Sequence, residues 1–300
     1  MIKNFNELLE TAKSQKKMKI VVAAAQDEDV IKAVSQAKEA GIAEPVLVGD
    51  KAKILEIMNE LGIADSEFEI IDEPDLIQAA RKSVELVKSG KGNFLMKGMI
   101  QTADIMRAVL DKEIGLRTEN LISHIMVYEV PTYNKLLYTT DGGMNVAPNL
   151  EQKVQILENA IMVCKAMKMD RIYASCLAGA ETVNPKIPAT VDAKAIADMK
   201  DKWEAMGVFV QGPVALDLAI STEACEHKGF KSEGAGIADI VLAPYYEVGN
   251  VLGKSLTYFA GAKSAGIVMG AKVPIILTSR ADSAETKLLS IALGSVVANN

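Results

Sequence analysis

Cysteine and histidine are scarce in this chain, and each scarcity excludes something. The three cysteines, Cys164, Cys176 and Cys225, are odd in number, far apart and set among apolar neighbours. That pattern speaks against a disulfide framework and for reduced thiols in a core. The two histidines, His124 and His227, occur without any C-x-x-C, H-x-x-x-H or H-E-x-x-H spacing, which disfavours zinc chemistry and histidine-centred triads. No apolar run reaches the roughly 18 to 20 residues that cross a bilayer, and the opening Met1-Ile2-Lys3-Asn4-Phe5-Asn6-Glu7 lacks the apolar centre of a signal peptide. A cytoplasmic protein is expected. With 33 basic against 39 acidic side chains the net charge is −6, so neither nucleic acid nor an anionic membrane is attracted at long range. An anionic ligand has to be held by local groups.

What the chain does contain is the composition of a packed globular protein, 300 residues with 49% hydrophobic and 24% charged. From Lys19 onward, short β-branched apolar runs alternate with longer stretches of helical period, the signature of βα units and largely parallel sheets. Strands are expected at 19–25, 45–48, 68–71 and 94–96, and a helix at 29–40 capped by Asp27 and stopped by Gly41. After Gly115 the rhythm changes to an antiparallel pair, 122–130 with 136–140, followed by a helix at 150–167 and strands at 171–176, 208–211, 240–243 and 274–278. No sequence period of roughly 20 to 50 residues occurs, which excludes a solenoid.

Two strand-to-helix junctions carry chemistry. Val273 to Thr278 runs through Ser279 and Arg280 into Asp282-Ser283-Ala284-Glu285, which has the spacing of a capping box. A hydroxyl, a guanidinium fork and a helix start suit phosphate or a developing oxyanion; the same residues also fit a capped helix with a surface arginine. At the second junction, Lys97 ends a strand, Gly98 permits a tight turn, Thr102 can cap, and Arg107 lies within two turns of the helix start. Solvent-exposed bases on separate surfaces are the alternative there. Asp141-Gly142-Gly143-Met144-Asn145-Val146-Ala147-Pro148 ends a strand ahead of Asn149, a helix cap, and fits either a shaped binding loop or a plain turn. Gly249-Asn250-Val251-Leu252-Gly253-Lys254-Ser255 fails as a phosphate-binding loop, because the first glycine it needs is Val248. Gly234-Ala235-Gly236 precedes a strand instead of following one, so it is no dinucleotide fingerprint.

Taken in order, the Lys97 to Arg107 junction, Asp141 to Pro148, Gly212-Pro213-Val214-Ala215-Leu216-Asp217, Gly249-Asn250, Gly261-Ala262 and Thr278-Ser279-Arg280-Ala281-Asp282-Ser283-Ala284-Glu285 resemble the phosphate acetyl/butyryltransferase family over about residues 15–298. The most specific stretch is Ser-Arg-x-Asp-Ser-Ala-Glu, and 132–138 with 184–188 resemble the butyryl-transferring branch. The resemblance implies reversible transfer of a short acyl group, butyryl preferred, between coenzyme A and inorganic phosphate. It implies an α/β, two-lobe fold like that of the isocitrate and isopropylmalate dehydrogenases with the active site in the interlobe cleft, residues 1–123 plus 280–300 forming one lobe and 124–279 the other. It also implies a homodimer or larger homo-oligomer, acyl-CoA and phosphate as small-molecule partners, and neither a metal nor a nicotinamide cofactor. Carried over residue by residue, Ser279, Arg280 and Asp282 are the catalytic candidates, and Arg107, Lys97, Thr102, Asp141, Asn145, Asn250 and Glu285 the substrate-binding ones. Acetyl-transferring relatives commonly carry an aspartate where this chain has Thr286, so the base for the coenzyme A thiol stays open between Asp282 and Glu285.

Two other readings stand beside this one. A decarboxylating dehydrogenase on the same architecture would need a cluster of metal-binding aspartates, and no D-x-x-x-D cluster beside a substrate arginine is evident. A two-lobed binding protein without turnover is the other.

Overall fold

The computed structural model describes residues 1–279 and 281–300. The chain forms two compact units, the first made of Phe5–Asn120 with Ala265–Asn300 and the second of Met1–Asn4 with Leu121–Ser264. Along the first unit run α1 (Phe5–Ser14), β1 (Met18–Ala23), α2 (Glu28–Glu39), β2 (Ala43–Gly49), α3 (Lys51–Glu60), β3 (Glu69–Asp72), α4 (Leu76–Lys88), β4 (Phe94–Lys97) and α5 (Thr102–Val109). The second unit contains β5 (Ser123–Glu129), β6 (Leu136–Thr140), α6 (Leu150–Ala166), β7 (Ile172–Leu177), α7 (Pro188–Ala197), α8 (Lys200–Ala205), β8 (Val208–Val214), α9 (Leu216–Ile220), α10 (Thr222–Lys228), β9 (Ile240–Leu242) and α11 (Tyr246–Tyr258). Then β10 (Lys263–Met269), β11 (Ile275–Ile276) and α12 (Ala284–Ala298) complete the first.

The strand order in the first unit is β3-β2-β1-β4-β11-β10, parallel throughout except that β10 runs against β11. A parallel sheet covered on both faces needs apolar residues on both sides of each strand, and Ile20, Val21 and Val22 of β1 are all fully buried. Helix α12 packs closely over β4 and β11. A Cβ on Gly294 would stand 2.8 Å from Ile276 and 3.0 Å from the Phe94 ring. Register places Ile276 beside Met96, so the chain leaves β4 and β11 side by side at the same end of the strands. In the second unit the order is β5-β6-β9-β7-β8, with β5 antiparallel to β6 and the rest parallel.

Several expected boundaries move. Asp27 does cap α2, accepting the Val30 N–H at 2.9 Å, and Gly41 follows the helix at a φ of 75°. The strand expected at 274–278 is only Ile275–Ile276, while β10 was not foreseen; its Ser264-Ala265-Gly266 is a weak strand signal. The division of the chain falls at 120/121 and 264/265 rather than at 123/124 and 279/280. Residues 265–279 go with the first unit because β11 pairs with β4 and β10 pairs with β11. Gly249 to Ser255, weighed above as a phosphate loop, lies inside α11. Among the described residues, no helix is long and apolar enough to cross a membrane.

Candidate functional site

Candidate residues collect in two places, one in each unit. In the first unit they leave the carboxyl ends of β4 and β11, where open parallel sheets bind ligands. After β4 the backbone turns sharply across the end of β1: Gly98 and Met99 donate to Ala23 and Ala24 carbonyls at 2.8 and 2.7 Å. Only glycine fits, since a Cβ at position 98 would lie 2.2 Å from the Ala24 carbonyl oxygen. Lys97 is buried, and its ammonium donates to the Gly98 and Ile100 carbonyls at 3.3 and 3.0 Å. It therefore pins the turn. Thr102 does not cap the helix; Gln101 holds the cap position, no side chain caps α5, and Thr102 is its first residue, exposed. The start of α5 thus presents uncapped N–H groups beside a buried cation, a setting that favours an anion. Arg107 is exposed, 74% of its side chain, and pairs with Asp104 at 2.7 Å one turn earlier.

After β11 the segment folds into a tight turn. Ser279 is exposed, and its N–H donates to Asp282 Oδ2 at 2.7 Å while its carbonyl accepts the Asp282 N–H at 3.1 Å. The Ser279 hydroxyl oxygen accepts the Ala281 N–H at 3.3 Å, and among the described residues its own O–H has no acceptor. Arg280 lies outside the described residues. The capping box expected from Asp282 does not form among the described residues. Ser283 is the cap, accepting the Thr286 N–H at 3.2 Å, and Asp282 instead orients the serine backbone. Glu285 is exposed in the first turn of α12.

One residue here went unforeseen. Lys287 is buried and its ammonium donates to the Asp282 carbonyl, so it stands behind the serine turn as Lys97 stands behind the neighbouring one. Position 287 lies four and seven residues before the buried Ile291 and Gly294, so helical spacing was the signal available in the sequence.

In the second unit, Asp141, Asn145 and Asn250 are brought together, with their polar atoms turned to the protein. The Asp141 carboxylate is 3% exposed and accepts five hydrogen bonds. Gly143 and Met144 N–H donate to Oδ1 at 2.7 and 2.9 Å; Asn145 Nδ2, His124 N–H and Asn145 N–H donate to Oδ2 at 2.7, 3.2 and 3.3 Å. Asn145 Nδ2 also reaches the Ile122 carbonyl at 2.9 Å, and Asn250 Nδ2 reaches that of Gly142 at 3.1 Å. Gly142 and Gly249 touch through their backbones, and Gly143 lies on the His124 ring, where a Cβ would be 2.6 Å from Nδ1. The carboxylate and amides shape the 141–148 loop, and its outer surface includes Val146 at 64% exposure.

Lys153 is a second unforeseen buried lysine, paired with Asp192 at 2.6 Å and 4.8 Å from the Tyr245 ring centre. All three cysteines are buried, and burial pushes the Cys176 thiol up to about 12 against an opposing pull from Lys153. None is a ready thiolate nucleophile at neutral pH. Among the described residues, no three His, Cys, Asp or Glu side chains are gathered so as to hold a metal ion.

The family model described as phosphate acetyl/butaryl transferase matches residues 4–79 and 75–295. A phosphate butyryltransferase from Clostridium acetobutylicum is 45% identical over the whole of both chains. A phosphate acetyltransferase from Thermotoga maritima is 42% identical, covering 97% of this chain and 99% of its own. The crystal structure of a branched-chain phosphotransacylase from Enterococcus faecalis V583 superposes with a TM-score of 0.83 at 31% identity, covering 94% of this chain and 99% of that one.

Proposed function

The chain belongs to the phosphate acetyl/butaryl transferase family, and from that premise we propose that it transfers a short acyl group, butyryl in preference, between coenzyme A and inorganic phosphate. The reading includes the isocitrate/isopropylmalate dehydrogenase type of fold, a cytoplasmic homodimer or larger homo-oligomer, and acyl-CoA and phosphate as substrates without metal or nicotinamide. The observation that carries it is the pairing of β4 with β11: the Lys97 turn and the Ser279 turn emerge from adjacent parallel strands, each with a buried ammonium behind it.

The chemistry asks for what such a place offers. A phosphate oxygen attacks the thioester carbonyl carbon, the carbonyl oxygen becomes an oxyanion, and the C–S bond then breaks to give acyl phosphate and the coenzyme A thiolate, which takes a proton. Charge builds beside an anion, so fixed donors and cations contribute most. In our reading Arg280 and Arg107 hold the phosphate and the free O–H of Ser279 donates to the thiolate sulfur or the oxyanion. Asp282 fixes the serine backbone, and both reactants are bound together, so no covalent serine intermediate is required. Lys97 and Lys287 act through their field and by holding the two turns.

The test is phosphate-dependent release of free thiol from acetyl-, butyryl- and octanoyl-CoA. Release that requires phosphate and is fastest with butyryl-CoA is the expected result; no release from any thioester overturns the proposal. Acetyl as the preferred group is the second reading, favoured by the 42% identical acetyltransferase relative. Each methylene contributes only about 0.8 kcal/mol of burial, so one or two pocket side chains decide between the two.

A further inference from the structure

A cavity of about 750 Å³ lies along β8, within the second unit, and none of the candidate residues above lines it. Its size suits a small-molecule ligand. β8 is the last strand of its sheet and pairs with β7 alone. Ile172 donates to the Gly207 carbonyl at 3.1 Å, so the alternation of a parallel ladder turns the backbone of Phe209 and Gln211 toward β7 and that of Val210 outward. Val210 is 7% exposed, and its N–H and C=O have no partner among the described residues. Gln211 is equally buried. Its Nε2 donates to Ser175 Oγ at 3.0 Å and to the Gly234 carbonyl at 2.9 Å, while its Oε1 is buried without a donor. One buried donor and two buried acceptors without partners, on residues that line a cavity, are costly unless a bound group completes them. Phe209 and Phe230 add flat apolar surface to the same lining. Most of its charges are committed: Glu204 and Glu233 to Arg171 at 2.9 Å, Asp198 to Lys194 at 2.5 Å. Lys200, Asp201 and Lys231 line the cavity exposed, and none of the three is in an ion pair among the described residues.

We infer that this cavity binds an adenine nucleotide. The base carries a ring nitrogen that accepts the Val210 N–H, and beside it an amino group whose two hydrogens serve the Val210 carbonyl and Gln211 Oε1. Its ring faces rest on the phenylalanines. Asp201 accepts from the ribose hydroxyls, and Lys200 and Lys231, on two different segments, hold the phosphate. Each group left open in the lining thus finds its complement in one ligand. Hypoxanthine, with an oxygen in place of the amino group, would set an acceptor against Gln211 Oε1. Free nucleotides and coenzyme A share this chemistry, so the binding measurement stands apart from acyl transfer, and a turnover measurement tells the two sources apart.

Isothermal titration calorimetry on the full chain with adenosine monophosphate (AMP) tests it. One saturable site per chain is expected, with inosine monophosphate weaker by about tenfold or more because Gln211 Oε1 stays unpaired. Lys231→Glu, at an exposed position, should weaken AMP by about tenfold with far-ultraviolet circular dichroism unchanged, whereas adenosine, which has no phosphate, should bind the wild type and the variant alike. No binding of AMP at millimolar concentration overturns the proposal. Equal affinity for the adenine and inosine nucleotides overturns the part given to Gln211, and an AMP affinity unmoved by both Lys200→Glu and Lys231→Glu places the nucleotide outside this cavity. The KM for butyryl-CoA in Lys231→Glu separates the sources: an unchanged value supports a free nucleotide, and a rise by the same factor as the loss of AMP affinity overturns that and makes the occupant the adenine end of coenzyme A, a reading that rests on the function proposed above. If no thioester turns over, that function fails while the calorimetry still decides the cavity.

Discussion

The 141–148 loop and the turn at 279–282 look alike as sequence, each a short polar segment after a strand and before a capped helix, and they use their polar groups in opposite ways. In the loop, one carboxylate takes five donors, and both asparagine amides are bound to backbone carbonyls. At the turn, Ser279 is exposed with its hydroxyl hydrogen uncommitted among the described residues, while its backbone N–H is held by Asp282. A polar residue satisfied by its own fold contributes shape, whereas one held by its backbone with its side chain open contributes chemistry. The separation is testable, because stability and turnover should respond to different substitutions.

The largest effect is expected on stability, from Asp141→Ala. It removes the buried carboxylate that accepts the N–H groups of His124, Gly143, Met144 and Asn145 and one N–H of the Asn145 side-chain amide, which keeps only the Ile122 carbonyl. Losing a buried, charge-assisted network of this kind costs about 3–5 kcal/mol, read as a lower urea midpoint. A midpoint shift under about 1 kcal/mol would mean that water replaces the carboxylate and that the loop is not built around it.

Next come Ser279→Ala and Arg280→Ala. Each is expected to lower kcat for butyryl-CoA with phosphate by about 10²- to 10³-fold with the urea midpoint unchanged. Near wild-type turnover in Arg280→Ala would remove the phosphate-holding role. A loss of stability comparable to that of Asp141→Ala would erase the contrast between the two segments. Gly143→Ala should fall below both. Its new Cβ meets the His124 ring at 2.6 Å, an overpacking cost of about 1–3 kcal/mol, visible in the same urea titration.

Much of this was legible in the sequence for identifiable reasons. The alternation of apolar runs with helical period gave both sets of parallel strands and the antiparallel β5–β6 pair, because periodicity reports burial directly. Asp27 and Asn149 were readable as caps, since a cap is a local arrangement of a few residues. Lys97, Lys153 and Lys287 were not readable as buried cations. Lysine is read as a surface residue by default, and what buries these three is tertiary packing against carbonyls, a carboxylate and an aromatic ring. The resemblance makes Asp141 a substrate-binding candidate; its role as the loop's hub depends on donors from His124, seventeen positions away in the chain, as well as from its neighbours. The shift of the α12 cap from Asp282 to Ser283 has the same origin, since Asp282 is taken up by the Ser279 N–H.

The smallest effect should come from Glu285→Gln, which sharpens the contrast by asking which acid beside the serine turn matters. Glu285 is exposed in the first turn of α12, where its charge favours the helix dipole by about 0.3–1 kcal/mol. Gln keeps the shape and removes the charge, so a small loss of stability and a kcat within a few-fold of wild type are expected. Asp282→Asn should lower kcat more at equal stability, because the acceptor of the Ser279 N–H loses its charge while keeping an oxygen in place. The pH profile with butyryl phosphate and coenzyme A as substrates, the direction in which the thiol must lose its proton, separates orienting from proton transfer: if Asp282 only orients the serine backbone, Asp282→Asn lowers kcat without removing the limb on which activity rises with pH. Loss of that limb in Glu285→Gln and not in Asp282→Asn would make Glu285 the base for the thiol and would place proton transfer on the exposed helix turn instead of on the serine turn.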